Sequence, residues 1–357
     1  MAAPQQSADV GSPAKAFGAV NRNRLIELYF AESANGRPAA ETAWRDVYRL
    51  LLWADQTNGL AHCYESDKSQ PGRNWYGRSL AFHDWLAQEF NVAPSALAKQ
   101  IDWLFIKATA DLAVAIVKRA SRIEALAKKQ RAAYEARDFP RPGEDVELVA
   151  IVKEVLGDHL SGDFPQERWQ LLVQRVRQYL TLENKRKNLV GEGFEDVLAA
   201  VVRRTCGGNS TDVRVRSVLQ DLPGFSRERR HDKPNKVDLA IVRPGMRTLV
   251  TAKWSVRADR EKQFAAEFGE YVQAETDGRP FEYVFVTNEF DPARLMRACE
   301  KLAVNAPMFT HVVHINTAGL RAAYGETRDD TMKTVLGYID KGRLLSLSAW
   351  LTLLSVE

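Results

Sequence analysis

The feature that most constrains this chain is a pair of apolar runs, KVDLAIVR at 236–243 and RTLVTAKWSV at 247–256, joined by Pro244, Gly245 and Met246. Side chains alternate across a strand, and Pro followed by Gly suits a tight turn, so the runs predict an antiparallel hairpin. Pairing Val242 with Arg247 places Asp238 opposite Thr251, with Lys253 its diagonal neighbour on the same face. A carboxylate able to hold Mg²⁺ beside an ammonium able to orient a water is the minimum equipment of a metal-dependent phosphodiesterase. Taken alone, a surface Asp and Lys on a hairpin is the commoner reason for such a pair.

The sequence around the hairpin predicts an α/β core. Further strand-like runs lie at 281–287 (FEYVFVT) and 310–315 (THVVHI), with helical periodicity between them at 258–274 and 292–304. A helical apolar face also runs over 194–204. Upstream, 21–136 has apolar residues at three- and four-residue spacing, in segments 42–54, 79–90 and 95–134, with Pro and Gly clustered at 35–38 and 70–73. A linker at 138–143 and two amphipathic helices at 146–157 and 165–182 follow. The change of texture after Glu183 predicts a flexible tail over 1–20, a helical domain over 21–183 and an α/β domain over 184–357. There is no internal repeat.

With 357 residues, 45% of them hydrophobic and 27% charged, the chain can bury a large core and two domains. Its three cysteines (Cys63, Cys206, Cys299) lack the spacing of a zinc site or redox pair, which favours a reducing compartment. No signal-peptide core or helix-length hydrophobic run is present, so a cytoplasmic protein without a membrane partner is expected. The net charge of +4 says little, but 203–260 holds 14 Lys and Arg against six Asp and Glu. A polyanion partner and a solvated basic face explain that excess equally well. No glycine-rich cofactor loop follows a strand, which disfavours a methyltransferase. His311 and His314, three apart in a strand, leave opposite faces and make a poor metal pair.

The segment from Lys253 to Glu267, KWSVRADREKQFAAE, is the most specific motif. Thr251 stands two residues before Lys253, where a metal-dependent nuclease of the PD-(D/E)xK superfamily usually has Glu or Asp. Arg257, Asp259, Arg260 and Glu267 follow at offsets that chance would place after a given lysine about once in 10⁵. This pattern resembles the CCGG family of type II restriction endonucleases, in which the metal-binding acid has moved from the strand to the next helix and an R-x-D-R element reads the central bases. The resemblance covers about 183–274. It implies a restriction-endonuclease-like fold, a mixed sheet flanked by helices and preceded by an α-helical domain. It implies Mg²⁺ as cofactor, held by Asp238 and Glu267, with Lys253 and Glu195 completing the catalytic set.

The geometry of Glu267 is sensible without the family: a helix from 258 carries it more than two turns along, where it can point back at the hairpin. Its alternative is a solvated face shared with Glu261 and Glu270. For GEGFEDVLAAVV at 191–202, the resemblance points to Glu195, which follows Phe194 and would hold a second metal or orient the lysine. Glu192 and Asp196 are competitors, since acids are ordinary at a helix start. Arg257 and Arg260 suit the O6 and N7 acceptors of guanine, and Asp259 can accept from cytosine N4. The resemblance further implies double-stranded DNA as partner, a palindromic site with a CCGG or CCNGG core, and a homodimer or tetramer in a restriction-modification setting. Two alternatives stay open: another PD-(D/E)xK nuclease acting in repair, transposition or on modified DNA, and a non-catalytic DNA-binding protein on the same fold.

Overall fold

The computed structural model describes residues 15–32, 38–55, 59–61, 71–73, 75–138, 145–157, 165–206, 211–226, 235–256 and 261–356. The chain divides into two compact units, one formed by 1–18 with 109–189 and the other by 19–108 with 190–357.

The larger unit is built on a six-stranded mixed sheet. Its elements begin with helices α1 (Ala19–Glu32) and α2 (Ala43–Leu51), the short antiparallel pair β1 (Trp53–Asp55) and β2 (Gly59–Ala61), helix α3 (Tyr76–Glu89) and the start of α4 (Trp103–Ala132). The C-terminal part of α6 (Gln166–Cys206) leads into β3 (Asp212–Val218), β4 (Lys236–Arg243), β5 (Met246–Lys253), α7 (Glu261–Ala274), β6 (Glu282–Thr287) and α8 (Pro292–Glu300). A two-residue pair, β7 (Leu302–Ala303) with β8 (Ala306–Pro307), precedes β9 (His311–His314), α9 (Thr317–Tyr324), α10 (Asp330–Asp340), β10 (Leu344–Ser346) and α11 (Leu347–Val356). The sheet order is β10-β9-β6-β5-β4-β3. β3, β4 and β5 are antiparallel neighbours, while β5, β6, β9 and β10 run parallel. The molecule is thus a mixed α/β protein with helices flanking its sheet, as the alternation of strand and helix predicts.

The hairpin has the expected register. Val242 pairs with Arg247 and Leu239 with Val250. The turn is Pro244-Gly245 alone, with Gly245 at φ 80°, a conformation that glycine adopts without steric cost. Apolar side chains fill both faces of β4 and β5: Val237, Leu239, Ala240, Ile241, Leu249, Val250 and Ala252 are buried. Strands covered on both faces read as continuous apolar runs, which is why this pair dominates the sequence. Helix α7 lays Phe264 against Phe285 and Phe309, and Phe268 stacks on Tyr283, closing one face of the sheet.

Several helix boundaries differ from expectation. The helix expected over 42–54 stops at Leu51 because Trp53–Asp55 pairs with Gly59–Ala61. The stretch 95–134 is not one helix. A 3₁₀ turn at Pro94–Lys99 and Asp102 at φ 62° precede α4, and a short polar side chain makes that left-handed conformation tolerable. The break expected between 182 and 194 is absent, since α6 runs through it. Gly191 and Gly193 look like helix breakers, yet a Cβ at Gly193 would lie 3.4 Å from Leu51 and 3.5 Å from Leu104. That is ordinary van der Waals contact, and both glycines lie inside the continuous helix without ending it.

The smaller unit comprises α4 from Thr109 onward, α5 (Val146–Leu156) and α6 up to Leu189. It buries few side chains, among them Ala115, Val173 and Leu189, and leaves Val117, Val146, Val155 and Tyr179 exposed. The expected boundary at 183/184 falls within α6, and residues 19–108 belong to the unit that holds the sheet. The expected linker lies mostly outside the described residues, as do most of the expected tail and Cys63. No helix among the described residues is long and apolar enough to cross a membrane.

Candidate active site

Asp238 and Lys253 meet where the register places them. One oxygen of Asp238, Oδ2, accepts from Lys253 Nζ at 2.6 Å, from the Ala252 backbone N–H at 2.9 Å and from the Thr251 hydroxyl at 3.3 Å. Both charged side chains are mostly buried, with 18% of the Asp238 and 25% of the Lys253 side chain exposed. Burial presses the lysine toward the neutral amine, but Asp238 beside it, then Glu195 and Glu267, outweigh that pressure and hold its pKa above the ordinary range. Lys253 is therefore a fixed cation.

Two helices bring further carboxylates to this pair. On α7, Glu267 accepts from the Tyr283 hydroxyl at 3.1 Å. Its carboxyl is raised by burial and then by the charge of Asp238, with Lys253 and the tyrosine opposing. On α6, Glu195 is pushed up to about 7 by burial and by Asp238, against the opposing effects of Arg216 and Lys253. Glu195 and Glu267 thus each lie within electrostatic reach of Asp238 and Lys253, although 72 residues separate the two glutamates in sequence. Phe194 helps set this arrangement: its ring meets Trp254 edge-on at 5.4 Å, linking α6 to the residue after Lys253. Trp254 also packs edge-on against Tyr48 of α2, so its role is in the core.

The three acids of α6 separate clearly. Asp196 is buried and gives one oxygen to Arg22 of α1 at 2.8 Å and the other to Arg216 of β3. Glu192 is 64% exposed and pairs with Arg22 at 2.8 Å. Glu195 lies in the field of Asp238 and Lys253, while Arg216 holds its Oε2 at 2.9 Å.

Arg216 was not a sequence candidate. β3 pairs Val215 with Leu239 and Ser217 with Val237, so Arg216 stands opposite Asp238. Its φ is 49°, in the left-handed region, which costs a non-glycine residue about 1 to 3 kcal/mol and persists only where the surrounding structure enforces it. The alternation of DVRVRSV could have marked the strand, but nothing in it marks the conformation.

Glu289 is a second functional candidate missed in the sequence. It is fully buried after β6, and its carboxylate accepts from the backbone N–H groups of Val256, Phe290 and Asp291 at 2.8, 3.0 and 2.8 Å. Burial raises its pKa while those donors oppose the shift. It pins Val256, the last described residue after β5. Arg257, Asp259 and Arg260 lie outside the described residues. Glu261 opens α7, and Glu270 lies on the same helix as Glu267. His314 is buried against Phe290, and His311 faces Glu282 at 4.0 Å.

Among the described residues, no three His, Cys, Asp or Glu side chains come together closely enough to cage a metal ion. Mg²⁺ does not require such a cage, because it keeps several waters and binds through one or two carboxylates and a substrate phosphate. The donors here are all hard oxygens, and the raised carboxyls of Glu195 and Glu267 beside Asp238 are groups whose ionised form a divalent cation would stabilise. The residues present fit Mg²⁺. A scan against protein-family models and a search of curated proteins found no match to this chain.

Proposed function

We propose that this protein is a Mg²⁺-dependent type II restriction endonuclease with a PD-(D/E)xK-like core, hydrolysing phosphodiester bonds of duplex DNA at a palindromic site with a CCGG or CCNGG core. The observation that carries the reading is the convergence of Asp238 and Lys253 from the hairpin with Glu267 from α7, at a place where Thr251 occupies the usual acidic position. Asp238 and Glu267 would hold Mg²⁺, and the bound ion supplies Lewis acidity and charge neutralisation at the phosphate. The chain's own groups do the rest. Lys253 keeps its proton and offers a fixed positive charge to an incoming phosphate or water. The Thr251 hydroxyl donates to Asp238 without adding a third negative charge on the strand, leaving room for the Glu267 carboxylate. Tyr283 fixes the orientation of Glu267.

Specificity is assigned to Arg257 and Arg260 on guanine and Asp259 on cytosine, following the family resemblance; two copies of the chain would then read both halves of a palindrome. Incubation of the purified protein with Mg²⁺ and duplexes carrying CCGG or CCNGG, against duplexes with one G·C pair replaced by A·T, tests this directly. The expected result is discrete cleavage of the first set only, and about 1 to 3 kcal/mol of lost discrimination per removed fork in Arg260→Ala. Equal cutting of both sets would remove the CCGG specificity and leave a nuclease of another kind. No cutting of any duplex would remove the enzyme.

A further inference from the structure

We propose that Arg216 is a positioning residue that acts through Glu195, fixing one oxygen of its carboxylate and leaving the other free for a divalent cation beside Asp238 and Lys253. The inference rests on the nuclease reading and extends its site to the edge strand β3.

Among the described residues, the guanidinium of Arg216 donates to one turn of α6: to the Glu192 carbonyl at 3.3 Å, to Glu195 Oε2 at 2.9 Å and to Asp196 Oδ1. Asp196 is an anchor in this arrangement, because both its oxygens are taken, by Arg22 and Arg216. Glu195 is held by Oε2 alone, and among the described residues its Oε1 has no hydrogen-bond partner. An arginine serving only to join β3 to α6 would need Asp196 and no more. Here the same fork also orients Glu195, which lies in the field of the Asp238 and Lys253 pair. The strand register puts Arg216 opposite Asp238, yet the guanidinium bonds to α6 and not to Asp238. Asp238 gives Oδ2 to Lys253 and the hairpin, and α6 receives the guanidinium. The left-handed backbone at Arg216 is maintained within a ladder whose register continues unchanged on both sides.

The test uses the full chain with Arg216→Gln, Arg216→Lys, Glu195→Gln and the double variant Arg216→Gln with Glu195→Gln. Two quantities are measured: Mn²⁺ binding without DNA, and cleavage rate as a function of Mg²⁺. Loss of a group that orients a metal ligand typically costs 10- to 100-fold in affinity or activity. Arg216→Gln should weaken Mn²⁺ binding and raise the Mg²⁺ requirement by about that factor. Arg216→Lys, retaining charge and one donor, should recover part of the loss. In the Glu195→Gln background, Arg216→Gln should add less than about twofold, because residues acting in one unit are not additive. Full additivity in the double variant overturns the inference, as does wild-type Mn²⁺ binding in Arg216→Gln. If Arg216→Gln fails to fold, Arg216→Lys decides by the same comparison with Glu195→Gln. A wild-type chain that binds Mn²⁺ but cuts no duplex overturns the nuclease reading alone, and the binding measurements still judge Arg216. A chain that neither binds nor cuts overturns both.

Discussion

The hairpin and the helices around it contribute to the site in different ways. Asp238 and Lys253 are set on adjacent strands whose apolar faces are buried, and each completes the other: one carboxylate oxygen collects an ammonium, an amide and a hydroxyl. The helix-borne acids are placed by packing, Glu195 beside Phe194 on Trp254 and Glu267 on an aromatic layer, and both are raised by burial and by Asp238. The strands provide a charge pair that is neutral in sum and stable as it stands. The helices provide carboxylates that are uncomfortable until something positive arrives. A catalytic centre needs both kinds: a rigid floor that fixes distance, and walls whose ionisation responds to a ligand.

Breaking the floor should have the largest effect. Asp238→Asn or Lys253→Gln is expected to lower the Mg²⁺-dependent cleavage rate by about 10²- to 10³-fold, as loss of a central electrostatic group does elsewhere. Salt-sensitive binding to duplex DNA should persist, since it draws on basic residues across the molecule. A single-turnover assay alongside a gel shift separates the two effects. Near-normal turnover in either variant would mean that the chemistry lies elsewhere.

The α7 wall comes next. Glu267→Gln should slow cleavage by about 10²-fold, whereas Glu270→Gln on the same helix should change it less than twofold. Adding Thr251→Glu to Glu267→Gln should return part of the rate if the strand can supply the missing carboxylate. The reverse ranking of Glu267 and Glu270, read from rates at saturating Mg²⁺, would dismiss the idea of a displaced acid.

The α6 wall should give the smallest effect and the clearest dependence on pH. Glu195 holds a proton to about pH 7 in the folded chain, against an ordinary value of 4.5 when unfolded. Between those values the folded state binds the extra proton, so this group's contribution to stability declines as pH rises through the window and levels off above 7. Glu195→Gln removes that decline, so its melting temperature relative to wild type should rise from pH 5 to pH 8. Mg²⁺ loading at pH 7 should release protons from wild type and fewer from the variant, a difference measurable by calorimetry in two buffers. Cleavage should fall about 10-fold in Glu195→Gln and less than twofold in Glu192→Gln, an exposed ion pair of small worth. A flat difference in melting temperature across pH would mean that the wall titrates like an ordinary surface acid.

The hairpin was legible in the sequence because strand periodicity and a Pro-Gly turn together leave one register, and that register alone brings Asp238 to Lys253. Glu267 was legible as a position on a helix, through its spacing from Lys253. The acids at the start of the 191–202 stretch could not be ranked, because the difference between Glu192, Glu195 and Asp196 lies in Arg22 and Arg216, which approach from α1 and β3. The continuity of α6 was hidden by Gly191 and Gly193, poor helix formers that nonetheless lie inside one unbroken helix. Glu289 was invisible because most of its partners are backbone amides, which carry no sequence signature, with Arg294 adding a longer contact at 3.4 Å.

Arg22 reaches Asp196 across 174 residues, Tyr48 reaches Asn288 across 240, and Ser348 reaches Glu41 across 307. Contacts of that span form late in folding, because the entropy of closing so long a loop is lost before the contact offers anything in return. The larger unit is thus held by segments that meet from far apart in sequence, and Asp196, the anchor of Arg216, depends on one of those long closures.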